Sequence, residues 1–74
     1  MVGIMARRKD LTEGTRIVVT YEYPGEAAGQ HTHEGTVEYL ARDYDGRSWR
    51  WMVMYTRDES DRLYGAWLPE VKVK

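Results

Sequence analysis

An all-β domain, built as a small five-stranded antiparallel barrel, is the architecture this sequence predicts, and three observations carry it. The first is residues 48–57, which read Ser-Trp-Arg-Trp-Met-Val-Met-Tyr-Thr-Arg. Strand alternation puts Trp49, Trp51, Val53 and Tyr55 on one side and Arg50, Met52, Met54 and Thr56 on the other. A strand with one wet face alternates apolar and polar residues. This one is apolar on both sides, which fits a closed barrel or a second face kept for a partner. The second observation is the lack of helical periodicity in a chain rich in valine, with six tyrosines and three tryptophans, residue types that favour strands. The third is the short spacing of turn signals along the chain.

Each element follows in order. Residues 1–10 have no periodicity and read as a flexible basic N-terminal arm, leaving residues 11–74 for the barrel. Leu11-Thr12-Glu13-Gly14 is a turn into the first strand, residues 15–23. There Ile17, Val19, Tyr21 and Tyr23 share one side, and Arg16, Val18, Thr20 and Glu22 the other. Pro24-Gly25 stops it, and residues 26–30 are a small polar loop. Residues 32–42 form the second strand, with Val37 and Tyr39 on one face and a kink or bulge at Gly35. Asp43-Tyr44-Asp45-Gly46 is a hairpin turn, because Asp-Gly supplies the positive φ that a tight turn needs. Residues 48–57 are the third strand and residues 58–61 a charged turn. Residues 62–68 are the fourth strand, Pro69 breaks it, and residues 71–74 are a short fifth. The expected core is Ile17, Val19, Val37, Val53, Leu63, Leu68 and Val71.

At 74 residues the chain is one domain, of a size that is marginal without a staple. It has no cysteine, so disulfides and thiolate zinc sites are excluded and stability must come from the apolar core. The longest apolar run, residues 51–55, falls far short of the roughly 20 residues that span a bilayer. A cytoplasmic protein without membrane contact is the expectation. The net charge of −1 gives no general electrostatic grip on nucleic acid. Its distribution is polar, however. Residues 17–41 contain no Lys or Arg but hold Glu22, Glu26, Glu34 and Glu38, while Arg7, Arg8 and Lys9 cluster in the arm.

Leu11-x-x-Gly14-x-Arg16-Ile17-Val18-Val19 followed by Gly35-Thr36-Val37 resembles the opening of SH3-like barrels of the Tudor and KOW kind. Gly65-Ala66-Trp67-Leu68-Pro69-Glu70-Val71 is similar to the Gly–aromatic–Pro–Val ending of SH3 domains, and Tyr21-Glu22-Tyr23 to their Tyr-rich first motif. The segment order differs, since Leu-x-x-Gly precedes the Tyr motif here. The resemblance implies a one-turn helix joining the last two strands and a binding module rather than an enzyme.

The chemistry-bearing residues agree with that implication. There is no thiol, and Ser48 and Ser60 lie at turns outside any nucleophile elbow. No phosphate-binding fingerprint is present, and no cofactor is expected. His31 and His33 share a strand face and could hold a metal only with ligands from elsewhere, so they read as surface residues. The richest cluster is the hairpin bearing Arg42, Tyr44, Arg47, Trp49 and Arg50, residue types that dominate protein–protein hot spots. Six tyrosines and three tryptophans are also more than a tiny core can hide with their polar tips satisfied. The expected function is a non-enzymatic protein-interaction module, a small regulatory or adaptor protein acting on a larger partner, with a homodimer as a further option. The alternative is a nucleic-acid-binding module of transcription, translation or mobile-element machinery. It would use the hairpin arginines and aromatics together with Arg7, Arg8 and Lys9.

Overall fold

The computed structural model describes residues 4–23 and 29–74. The Pro24-Gly25 stop, residues 26–28 of the expected loop and residues 1–3 of the expected arm lie outside them. The described chain is all-β: strands β1 (Ile4–Met5), β2 (Arg16–Tyr23), β3 (Gly29–Tyr44), β4 (Trp49–Arg57), β5 (Leu63–Trp67) and β6 (Val71–Val73). All pair antiparallel in one sheet of order β1-β6-β2-β3-β4-β5. Single 3₁₀ turns cover Arg8–Asp10 and Leu68–Glu70. In the second, Glu70 Oε1 accepts the Trp67 backbone N–H at 2.8 Å, tying the exit of β5 to the entry of β6.

Two expectations change here. The sheet has six strands rather than five, and no strand pairing closes it, because β1 and β5 are both edges among the described residues. The extra strand comes from the segment expected to be loose. Ile4–Met5 pairs with β6, the Ala6 N–H donates to the Val71 carbonyl at 3.3 Å, and Ala6 and Leu11 are buried in the core. Apolar residues on either side of the Arg7-Arg8-Lys9 run supply the burial that docks residues 4–11, a signal the basic run obscured.

Side chains bridge strands that do not pair. The Tyr21 hydroxyl of β2 donates to the Gly65 carbonyl of β5 at 3.1 Å and lies 2.8 Å from the Tyr55 hydroxyl. In a flat sheet β2 and β5, three strands apart, would be separated by about 14 Å, so the sheet is strongly curled. Its inner face holds one core of Ile17, Val19, Val37, Val53, Tyr55, Ala66 and Val71, joined by Ala6 and Leu11. Tyr55 is fully buried, its polar tip satisfied by Tyr21 and by the Arg57 Nε–H at 3.1 Å. That pairing is how a core this small hides a phenol.

Leu63, expected in the core, is 48% exposed. It stands opposite Thr56 on edge strand β5, on the outer face. Leu68 is half-buried against the core. The bulge also moves. It falls between Val37 and Tyr39 rather than at Gly35, so Val37 faces Tyr55 while Tyr39 faces Met54. Val37 and Tyr39 therefore lie on opposite faces, the first buried and the second exposed. Gly35 is needed for a different reason, since a Cβ there would sit 2.3 Å from the Thr56 carbonyl oxygen.

Candidate binding surface

The β3–β4 hairpin is built from its turn upward. The Asp45 carboxylate accepts the backbone N–H groups of Arg47 at 2.8 Å and Ser48 at 2.9 Å, and Gly46 takes φ +97°. The Asp45 N–H donates to the Ser48 carbonyl at 3.1 Å. These backbone donors, with Arg50 alongside, hold the Asp45 carboxyl below the usual carboxylate range. The turn fixes register: Tyr44 pairs with Trp49, Arg42 with Trp51, and Leu40 with Val53. Alternate residues share a face, so these six stand in rows on one side, running from the core outward to the tip.

At the tip, the Tyr44 and Trp49 rings meet edge to face at 5.7 Å, with Tyr44 52% and Trp49 62% exposed. One row inward, the half-buried Trp51 carries two guanidinium groups over its ring, Arg8 at 4.8 Å and Arg42 at 5.1 Å from the centroid. Beside it an open hollow of about 450 Å³ is lined by Arg8, Lys9, Leu11, Thr12, Leu40 and Trp51. The docked N-terminal segment thus brings its cations to the hairpin.

The residues expected to form a site divide accordingly. Arg42, Tyr44 and Trp49 share this face, and Arg8 and Lys9 join them. Arg47 lies exposed in the turn at the same end. Arg50 points away: it lies over the Trp67 ring at 4.6 Å and its Nη1 meets Asp45 at 3.2 Å, because residues 50 and 52 of β4 face outward. Arg7 is spent on Asp10, with Nε 3.0 Å from the carboxylate, which holds the Asp10 carboxyl below its ordinary value. Among the described residues, Arg8, Lys9, Arg42 and Arg47 have no carboxylate within ion-pair distance.

Trp51 was not among the residues expected to form the site. Its cross-strand pairing to Arg42 was the readable signal, and the approach of Arg8 required the tertiary fold. A second cation–aromatic cluster went unforeseen. The Arg57 guanidinium lies 3.7 Å from the Tyr64 centroid and also faces the Tyr21 and Tyr55 rings. The Arg57 Nε–H donates to the Tyr55 hydroxyl, and burial first, then that hydroxyl, pushes the Tyr21 phenol upward. His33 turns its Nδ1 to Glu59 at 2.7 Å.

Compared with protein-family models, with curated proteins and with solved structures, the chain finds no match in any of the three.

Proposed function

We propose that this chain is a non-enzymatic protein-interaction module on an SH3-like barrel, a small adaptor whose contact surface is the Tyr44–Trp49 and Arg42–Trp51 face. The barrel reading is supported by the curl that lets Tyr21 reach Gly65, and by the 3₁₀ turn Leu68–Glu70 between the last two strands. The interaction reading rests on one observation above others: Trp49 is 62% exposed, its ring edge to face with Tyr44, on the hairpin that carries Arg42 and Arg47, which have no carboxylate within ion-pair distance among the described residues. A large aromatic left at a rim with Arg neighbours is the composition of a hot spot.

The test separates folding from binding. Val53 is fully buried at the centre of β4, so Val53→Ala is expected to cost roughly 1–3 kcal/mol through lost transfer energy and a small cavity. Trp49→Ala removes an exposed ring and should leave stability within about 0.5 kcal/mol. With both variants melted and then used to cross-link partners in an extract, Trp49→Ala should melt like the parent and lose the cross-linked partner. Melting as poorly as Val53→Ala would make Trp49 a core residue and remove the site's anchor.

A second reading, nucleic-acid binding, is favoured by the gathering of Arg8, Lys9 and Arg42 around Trp51. It requires oligonucleotide binding at about 50 mM salt that weakens steeply as salt rises.

A further inference from the structure

Resting on the interaction reading above, the geometry points to the class of partner: we infer that the hollow beside Trp51 takes an acidic peptide segment. One apolar side chain of that segment sits on Leu11 and Leu40, and flanking carboxylates meet Arg8, Arg42 and Lys9. Charge complementarity is the first support. Arg7, Arg16, Arg50 and Lys74 are matched to carboxylates on the molecule itself, whereas Arg8 and Lys9, which line the hollow, and Arg42, over the Trp51 ring, have none among the described residues. A guanidinium stacked on an indole is oriented while its N–H edge stays free. It is thereby prepared for two parallel hydrogen bonds to a carboxylate.

Size and lining are the second support. About 450 Å³ lies within the roughly 300–1,000 Å³ range of ligand sites, enough for a side chain with its neighbours. Buried Leu11 and half-buried Leu40 form an apolar floor that a carboxylate alone would not use. The same features disfavour a nucleic acid here. The Trp51 ring already carries two guanidiniums, so it offers a base no clear stacking platform.

The full chain is titrated, by calorimetry at low salt, with three probes: a short peptide of one leucine flanked by glutamates, the same peptide with glutamines for the glutamates, and an oligothymidylate of matching charge. The acidic peptide should bind about tenfold more tightly than the neutral one, and Arg42→Gln should lower its affinity about tenfold. Arg42→Lys, which keeps the charge but not the planar fork, should fall between. Each variant is first shown to melt like the parent. Should Arg42→Gln fail to fold, Arg8→Gln, on the 3₁₀ turn, serves the same purpose. Equal binding of the two peptides, or an acidic peptide indifferent to the arginine variants, overturns the inference. Oligothymidylate binding tighter than the acidic peptide, and lost in Arg42→Gln, also overturns it, in favour of nucleic acid. The interaction reading fails on different outcomes: a Trp49→Ala variant that melts as poorly as Val53→Ala, or one that keeps its cross-linked protein partner. The inference can therefore fall while that reading stands.

Discussion

At Gly35 the carbonyl of Thr56 and the ring of Tyr55 come so close that a methyl group has no room: an added Cβ would lie 2.3 Å from the first and 2.8 Å from the second. Neither can yield, one being backbone and the other a fully buried ring. Gly35→Ala is therefore expected to cost about 1–3 kcal/mol or more, by forcing β3 away from β4. Gly65 makes the contrast. A Cβ there would meet the sulfurs of Met52 at 2.9 Å and Met54 at 3.3 Å, the ends of flexible side chains that can swing aside. Gly65→Ala should stay within about 1 kcal/mol of the parent. Urea denaturation of the two variants ranks them, and a larger loss at Gly65 would contradict the packing described. Five of the seven expected core residues, Ile17, Val19, Val37, Val53 and Val71, are legible from alternation alone and are fully or almost fully buried. Tyr55 was not, because its burial depends on hydroxyl partners from β2 and β4 that no local pattern displays.

Among the elements, the turn and the strand ends are set by carboxylates. Asp45 organises the β3–β4 turn, and Asp58, after β4, accepts both Arg16 guanidinium nitrogens at 2.7 and 2.6 Å. The Arg16 guanidinium holds the Asp58 carboxyl below its ordinary value. The Glu59 carboxyl is lowered by its own backbone N–H and by His33. The sign follows from linkage: a carboxyl whose folded value lies below the unfolded one adds stability above the unfolded value, and loses it as pH falls through the folded value. With ordinary values of 3.8 for Asp and 4.5 for Glu, these contributions are present at neutral pH and fade below about pH 4. Melting temperature should drop across that acid window, and Asp58→Asn should shrink the drop. An Asp58→Asn variant with the parent's full acid sensitivity would show that this pair contributes nothing. The pairs are exposed, so the effect should be modest and weaken with salt. The hairpin turn was legible because Asp-Gly has a local meaning. The bulge was not: it depends on which β4 residue each β3 residue meets, and it alone puts Tyr39 outside.

Across the whole molecule, the doubly apolar β4 resolves into two faces with different fates. Its inner side fills the core at Val53 and Tyr55 and emerges at Trp51 and Trp49. The outer side lays half-buried Met52 and Met54 beside Trp67 and the exposed Tyr39. The sequence pattern could show that both faces were apolar, but not that the N-terminal segment would dock and carry Arg8 and Lys9 to Trp51. That convergence is long-range, set by β1 pairing with β6. No helix among the described residues is long and apolar enough to cross a membrane. The central claim is that binding belongs to the face of Trp49 and Trp51 and not to the outer face. The three tryptophans report on it directly, since Trp67 stands on the opposite side, paired with Met52. Indole N–H resonances, assigned by single Trp→Phe substitutions, are followed by ¹H–¹⁵N NMR as the leucine–glutamate peptide is added. The Trp49 and Trp51 signals should move together while Trp67 stays in place; movement of Trp67 alone, or of no indole at all, would contradict the account.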